Sequence, residues 1–176
     1  MRIFVLSALL LAACGTAVRI DGTVNGTRVP TATVSARMRQ IPDGRWIGFF
    51  IAHDKAATAC ELEATFGSRE SGVIAGTALT IRILNMADDA GRFELAPQGA
   101  IGQPFVDAFF AKNSGTACEV FPALSGFISF EKSGLKRTKG RFELDFGEFG
   151  TARGTFDLDL GCAWQPDQFP LANSCK

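Results

Sequence analysis

The sequence predicts an all-β fold: an antiparallel sandwich or small barrel with at most one or two short helices. Apolar and polar residues alternate with a period of two in several segments, glycine-rich turns separate these segments, and no long run shows helical i, i+3, i+4 spacing. The 176 residues are enough for one domain, and 47% hydrophobic with 20% charged residues is typical of a folded globular protein.

The alternation is clearest in two segments near the end of the chain, 141–146 and 155–160. Their apolar members, which alternate with mostly charged residues, are Phe142, Leu144, Phe146, Phe156, Leu158 and Leu160. The link 147–150 has a glycine at each end, as a turn requires. We therefore expect an antiparallel hairpin with a phenylalanine-rich inner face and a charged outer face.

Three earlier segments, 18–24, 33–38 and 79–83, alternate in the same way and are predicted to be strands with one buried face. Two others, 46–52 and 105–111, are apolar on both faces, which is typical of strands that are covered on both sides. They contain the four aromatic residues that are candidates for a ligand-binding or interface role: Phe49, Phe50, Phe109 and Phe110.

Helix is predicted only weakly. Residues 56–66 are the best candidate for a short helix, although their apolar spacing fits only loosely. Residues 107–111 could be helical as an alternative to a strand.

A five-residue pattern, Gly-Arg-Phe-Glu-Leu, occurs at 91–95 and again at 140–144, and residues 154–158 are a close variant. Duplicated hairpin units would explain the repeat. A simpler interpretation is that a glycine followed by alternating aromatic and charged residues is a common way to begin a strand. Both interpretations stay open at the level of the sequence.

The first fourteen residues have the order of a secretory signal: a positive Met1-Arg2, then an apolar run over 3–13. The run is shorter than the about 20 residues that a membrane-spanning helix needs. It ends in Leu11-Ala12-Ala13-Cys14, which resembles the lipobox of bacterial lipoproteins. The resemblance implies that the chain is cut before Cys14, that the Cys14 thiol carries diacylglycerol, and that acyl chains such as palmitate anchor the protein.

This resemblance divides the chain into a signal peptide, residues 1–13, and a single lipid-anchored β domain, residues 14–176. It implies a location in the bacterial cell envelope, with the membrane as a partner through the lipid. Gly15, rather than an aspartate, implies the outer membrane if the host has two membranes. The strand-like alternation begins at Val18, so the linker from Cys14 has four residues and spans at most ~14 Å. A linker this short should hold the domain near the bilayer.

Four cysteines follow Cys14, namely Cys60, Cys118, Cys162 and Cys175. An even number in an oxidising compartment predicts two disulfide bonds. Three pairings are conceivable, and we favour Cys162–Cys175, which closes a short loop, with Cys60–Cys118, which ties distant segments. No Cys-x-x-Cys pattern occurs and no histidine neighbours a cysteine, so neither a metal site nor another cofactor is expected.

Residues 125–162 loosely resemble uncharacterised small all-β bacterial lipoproteins. The shared features are a Ser-Gly turn into a strand at 125–130, a Gly-Arg-Phe-Glu-Leu strand at 140–144, and a Gly-Thr-Phe-Asp strand that leads to Cys162. The resemblance implies no activity.

Catalytic chemistry is not expected. His53 is the single histidine, and the adjacent Asp54 should point to the opposite side of a strand. The carboxylate pairs Glu143/Asp145 and Asp157/Asp159 fit a solvated strand face better than a calcium site or a glycosidase pair. The balance of 18 basic and 18 acidic residues gives no reason to expect a nucleic-acid partner.

A basic cluster lies within ten residues of the chain and consists of Lys132, Lys136, Arg137, Lys139 and Arg141. Near a membrane such a cluster could contact anionic headgroups. The alternative is a soluble turn whose charges offset the acidic strand face beside it.

Two functions follow as hypotheses. The first is a non-enzymatic envelope lipoprotein, a membrane-tethered β domain that acts as a structural, adaptor or protein-binding module with an envelope protein as partner. The second is a carrier or sensor of a small apolar ligand, held in a lipocalin-like barrel or between the sheets by the four candidate phenylalanines. A filled core favours the module, and an apolar cavity favours the carrier.

Overall fold

The computed structural model describes residues 17–55, 75–96, 103–114, 116–132 and 137–159. The strands in these ranges are β1 (Ala17–Val24), β2 (Thr27–Arg28), β3 (Thr33–Gln40), β4 (Trp46–His53), β5 (Gly76–Met86), β6 (Gly91–Glu94), β7 (Phe105–Asn113), β8 (Cys118–Pro122), β9 (Ser125–Lys132), β10 (Arg137–Asp145) and β11 (Gly150–Asp159). A single turn of 3-10 helix, Gly147–Phe149, links the last two strands.

The strands form two antiparallel sheets that pack face to face. The first sheet has the order β2-β1-β11-β10-β9-β6, and the second has the order β3-β4-β5-β7-β8. The prediction of an all-β sandwich is confirmed, and over the described residues the two sheets do not join into a closed barrel. In the core between them, the Phe50 ring of the second sheet lies 4.8 Å from Phe142 and 5.2 Å from Phe156 of the first.

The predicted hairpin is formed by β10 and β11. Burial alternates residue by residue along β10, with the charged side chains exposed. Gly140 lies opposite Phe156, and Phe142 lies opposite Gly154. A Cβ atom on Gly140 would lie 2.6 Å from the Phe156 ring, and one on Gly154 would lie 2.8 Å from the Phe142 ring. Each ring therefore packs over the glycine of the other strand, which explains why a glycine precedes each phenylalanine by two residues.

The repeated Gly-Arg-Phe-Glu pattern flanks β9 on both sides in one register. Its two copies, β6 and the middle of β10, pair with the same four residues of β9. Gly91 and Gly140 lie opposite Phe130, Arg92 and Arg141 opposite Ser129, Phe93 and Phe142 opposite Ile128, and Glu94 and Glu143 opposite Phe127. The repeat thus supplies matching neighbours to a single central strand. This role is compatible with either origin of the repeat.

Four strands of the second sheet, β3, β4, β5 and β7, are buried on both faces over much of their length. We call the face that points away from the first sheet the covered face. The sequence predicted Thr33, Ser35 and Arg37 of β3 to face water, and this is wrong, since their side chains are only 5%, 0% and 2% exposed. Polar groups can be buried when they are hydrogen-bonded: the Thr33 hydroxyl donates to the Lys55 carbonyl at 2.7 Å.

The helical alternative for residues 107–111 is also wrong, because these residues belong to β7, which pairs with β5 on one side and with β8 on the other. The strand prediction for this segment is confirmed. The helix predicted for 56–66 lies outside the described residues.

Candidate functional site

The start of β1 and the described part of the basic cluster meet at one end of the first sheet. Ala17, the first residue of β1, lies opposite Asp157, and Asp157 lies opposite Lys139 on its other side. Lys132 ends β9 next to Lys139 in the register. We call this the amino-terminal end. Cys14 is only three residues before Ala17 in the sequence, although it lies outside the described residues.

Acidic neighbours partly neutralise the basic cluster. The Arg137 guanidinium donates two hydrogen bonds to Asp157, at 2.8 and 2.9 Å, and holds the pKa of that carboxyl below its usual value. The Lys139 ammonium lies 2.6 Å from a Glu131 oxygen, and this hydrogen bond raises the pKa of Lys139. Lys136 lies outside the described residues. For Arg137 and Lys139 these ion pairs agree with the interpretation that the basic charges offset nearby acidic residues, whereas contact with anionic headgroups stays a prediction.

The opposite end of the first sheet, the distal end, carries apolar side chains. Leu124 and Phe149 are 65% and 39% exposed, the largest values for bulky hydrophobic residues in the described ranges. The Asn25 amide after β1 donates to the Phe149 carbonyl at 2.7 Å, and the Leu124 amide donates to the Asp145 carbonyl at 2.8 Å. Since β1 has eight residues, the two ends are separated by roughly 23 Å.

The four candidate phenylalanines do not line one cavity. Phe50 and Phe110 point into the core between the sheets, where Phe110 packs against Phe121 at 6.5 Å. Phe49 and Phe109 directly precede Phe50 and Phe110 on their strands, so their side chains point to the opposite, covered face, where both are buried. The doubly apolar runs therefore reflect two strands, β4 and β7, that are buried on both sides.

His53 is 1% exposed on the covered face. The Lys55 amide donates to its Nδ1 at 2.8 Å, so Nδ1 is an acceptor and the imidazole is neutral with its proton on Nε2. Burial lowers the pKa of His53, against the opposing charge of Asp54.

The Asp54 carboxylate lies 3.4 Å from Nδ1, which differs from the expectation that it points away. The reason is that β4 ends at His53, so the strand alternation stops there.

The two carboxylate pairs share the outer face of the hairpin, as predicted, but they lie at its two ends. Asp145 lies opposite Thr151 at the distal end, whereas Asp159 lies opposite Arg137 at the amino-terminal end. Asp145 accepts a hydrogen bond from the Gly147 amide at 2.8 Å and so stabilises the turn. Within the described ranges, no three His, Cys, Asp or Glu side chains are grouped so that they could hold a metal ion.

Cys118, the first residue of β8, is disulfide-bonded. It lies opposite Asn113 at the edge of the second sheet. Cys60, Cys162 and Cys175 lie outside the described residues, as Cys14 does, so the pairing stays a prediction.

The sequence did not predict two grooves on the outer face of the first sheet. One groove has a volume of about 330 Å³ and is lined by Arg19, Asp21, Arg141, Phe142, Glu143, Arg153, Gly154 and Thr155. The second, of about 560 Å³, adjoins Phe127. Phe127 is only 4% exposed on this otherwise wet face, because the Arg92 guanidinium covers its ring at 3.4 Å from the centroid. In the sequence, the repeated Gly-Arg-Phe-Glu pattern was the one sign that arginines line this face. Its pairing register with β9 was needed to show that they lie beside Phe127.

In the part of the chain that the structure describes, no helix has the length and apolar character needed to span a bilayer. The chain matches no family model, no curated protein and no solved structure.

Proposed function

We propose that the protein is a lipid-anchored β-sandwich of the bacterial envelope, held at the membrane through Cys14, and that it serves as a non-enzymatic structural, adaptor or protein-binding module. The observation that carries the proposal is the short spacing between the lipobox-like Leu11–Cys14 sequence and β1. Cys14 and Ala17 are three residues apart, which corresponds to at most about 11 Å of extended chain. An anchor at Cys14 would keep the amino-terminal end of the sheet against the bilayer.

The position of the basic cluster supports this orientation. Its described residues lie at the end of β9 and along β10 from the amino-terminal end. Cations near an anionic membrane surface are attracted to its headgroups, within a Debye length of it. Arg137 and Lys139 contribute less than free cations would, because Asp157 and Glu131 already pair with them. In a host with two membranes, Gly15 favours the outer membrane.

The distal end supports a protein-binding role. An anchor at the opposite end would point Leu124 and Phe149 away from the membrane, where an envelope partner could reach them. The Phe149 ring is held by Phe121 at 5.0 Å between centroids, so the exposed apolar surface is built on the core and not on a free side chain.

The packing of the candidate phenylalanines supports the module over a carrier of a small apolar ligand. Phe50 is in ring contact with Phe142 and Phe156, so side chains fill the centre of the space between the sheets. Phe49 and Phe109 belong to the covered face instead and cannot join them around one ligand.

Mass spectrometry and membrane fractionation test the anchor. The full chain is expressed in a two-membrane bacterium as the wild type, as Cys14→Ser and as Gly15→Asp. We expect the wild-type protein to begin at an acylated Cys14 and to fractionate with the outer membrane. Cys14→Ser should be neither acylated nor cut before residue 14.

Gly15→Asp is the matched control, because it leaves the thiol in place and changes only the residue implied in sorting. This variant should remain acylated and move to the inner membrane. A wild-type protein with an unmodified Cys14 thiol would contradict the proposal.

A further inference from the structure

The arginines on the outer face of the first sheet fall into two groups. Arg92, Arg137 and Arg153 each lie within 4.0 Å of a carboxylate oxygen. Arg19 and Arg141 have no such partner among the described residues, yet both are exposed. These two are the direct neighbours of Thr155 in the sheet, Arg19 on β1 and Arg141 on β10.

The three side chains face the same groove. Neighbouring strands are about 4.8 Å apart, so the Cα atoms of Arg19 and Arg141 are separated by roughly 10 Å with Thr155 between them. Over that distance the two long arginine side chains can bring their guanidinium groups together around one anion. The Thr155 hydroxyl, between them on the strand, can donate a hydrogen bond to the same anion. The groove that they line has a volume of about 330 Å³. We propose that this groove binds a phosphate group, held by Arg19 and Arg141 across Thr155.

Phosphate is the anion that this arrangement fits best. A guanidinium donates two parallel hydrogen bonds to phosphate oxygens, so two arginines and a hydroxyl match one tetrahedral group. Phosphate binding would cost Arg141 little existing interaction. Its guanidinium lies 5.7 Å from the centroid of the Phe127 ring, which is near the outer limit for a cation–π interaction.

The residues two positions further along the same strands indicate which substituent the phosphate can have. Arg153 lies between Asp21 and Glu143 in the register, and its guanidinium pairs with Asp21 at 3.2 Å. Glu143 has no cationic partner within 4.0 Å in the described part of the chain. A second anionic group would be repelled there, whereas an ammonium or a neutral substituent is accommodated. The ligand class is therefore a phosphate ester with a neutral or amine-bearing substituent, from a lipid headgroup or from a soluble compound.

Nuclear magnetic resonance of the purified full chain tests the site. The protein is prepared in maltoside micelles, which contain no phosphate, and is titrated with inorganic phosphate and with phosphoethanolamine. In a parallel arm, phosphatidylethanolamine is added to the micelles. We expect saturable shifts of the Arg19 and Arg141 Nε–H signals and of the Thr155 amide.

Charge-removing variants decide whether the groove is responsible. Arg19→Gln and Arg141→Gln should each weaken binding about tenfold or more, because each removes a charge-assisted hydrogen-bonding pair. Arg28→Gln is the matched control, since Arg28 is an exposed arginine of β2 outside the groove. Its affinity should equal that of the wild type.

Saturable shifts with the soluble probes would support the site and identify its ligand as a soluble phosphate compound. Shifts with phosphatidylethanolamine alone would support the site and identify its ligand as a lipid headgroup. The absence of saturable shifts in both arms would overturn the proposal. An effect of Arg28→Gln as large as that of Arg19→Gln would also overturn it, since it would indicate general charge attraction. None of these results depends on acylation of Cys14, so a failure of the anchor is detected separately.

Discussion

The two sheets of this sandwich use similar alternating sequences for different environments. Along β10 of the first sheet, every second residue is buried and the others are exposed to solvent. Along β3 of the second sheet, the first six residues are buried on both faces. Alternation of residue type therefore predicts that a segment is a strand, but it does not predict whether the polar side faces water.

The chemistry of the alternating residues explains part of this difference. The outward positions of β10 that face the groove and the distal turn, Arg141, Glu143 and Asp145, are all charged, and burying an unpaired charge is costly. The corresponding positions of β3 include two small hydroxyl residues, which need few partners. The covered face also holds charges where they are paired: the Arg82 Nε donates to Asp107 at 2.8 Å.

Placing the same charge on each sheet tests most directly whether the two sheets differ in this way. Ile51→Lys puts an ammonium on the covered face, where the native side chain is 0% exposed, and we expect it to lower the free energy of unfolding by at least about 4 kcal/mol. Thr151→Lys puts it on the exposed face of β11, where a change within about 0.5 kcal/mol is expected. Urea unfolding of both variants measures the difference. Equal losses would show that the two outer faces do not differ.

Truncating aromatic residues compares the covered face with the core. Phe49→Ala and Phe50→Ala should each cost about 3–5 kcal/mol, because both side chains are fully buried and leave a cavity. Phe149→Ala at the distal end is the control and should cost about 1 kcal/mol, since much of its ring is already in water. The measurement is again denaturant unfolding. If Phe49→Ala behaved like Phe149→Ala, the covered face would be open in solution.

Acidification should destabilise the protein through the covered face. Burial lowers the pKa of His53 in the folded state, so the unfolded chain binds the proton more tightly. The stability is then fully present above about pH 6.5, the unfolded value, and falls as the pH drops from there toward the folded pKa.

The imidazole signal of this single histidine, followed during a pH titration of the folded protein, reports the same group directly. A folded-state pKa at or above the ordinary value would refute the mechanism, and so would stability that does not change between about pH 7 and pH 5. Asp157 on the first sheet titrates in a separate, more acidic window, because Arg137 lowers its pKa.

The smallest expected effect concerns one hydroxyl in the core. Thr138 of β10 is 0% exposed, and among the described residues no group forms a hydrogen bond with its Oγ1. Thr138→Val replaces this hydroxyl with a methyl group of similar size and should raise the free energy of unfolding by about 1 kcal/mol. Thr23→Val on the exposed side of β1 provides a control that should change little. Destabilisation by Thr138→Val would indicate that the hydroxyl has a partner.

The all-β class, the β10–β11 hairpin and its phenylalanine-rich inner face could be predicted from the amino-acid sequence. These features depend on neighbouring residues, on period-two alternation and on glycine at the turn, which are local properties. The position of the carboxylates on the outer side of that hairpin follows from the same alternation.

How distant segments meet could be seen only in the folded molecule. The tertiary structure brought Ala17 and the basic residues Arg137 and Lys139 to one end, gave both Gly-Arg-Phe-Glu copies the same partners on β9, and buried both faces of four strands of the second sheet. It also placed Arg19 and Arg141, more than a hundred residues apart in the chain, on either side of Thr155. The physical reason is that strand order and sheet packing depend on hydrogen bonds and burial between segments far apart in sequence, and alternation within a segment carries no information about which neighbour it will pair with.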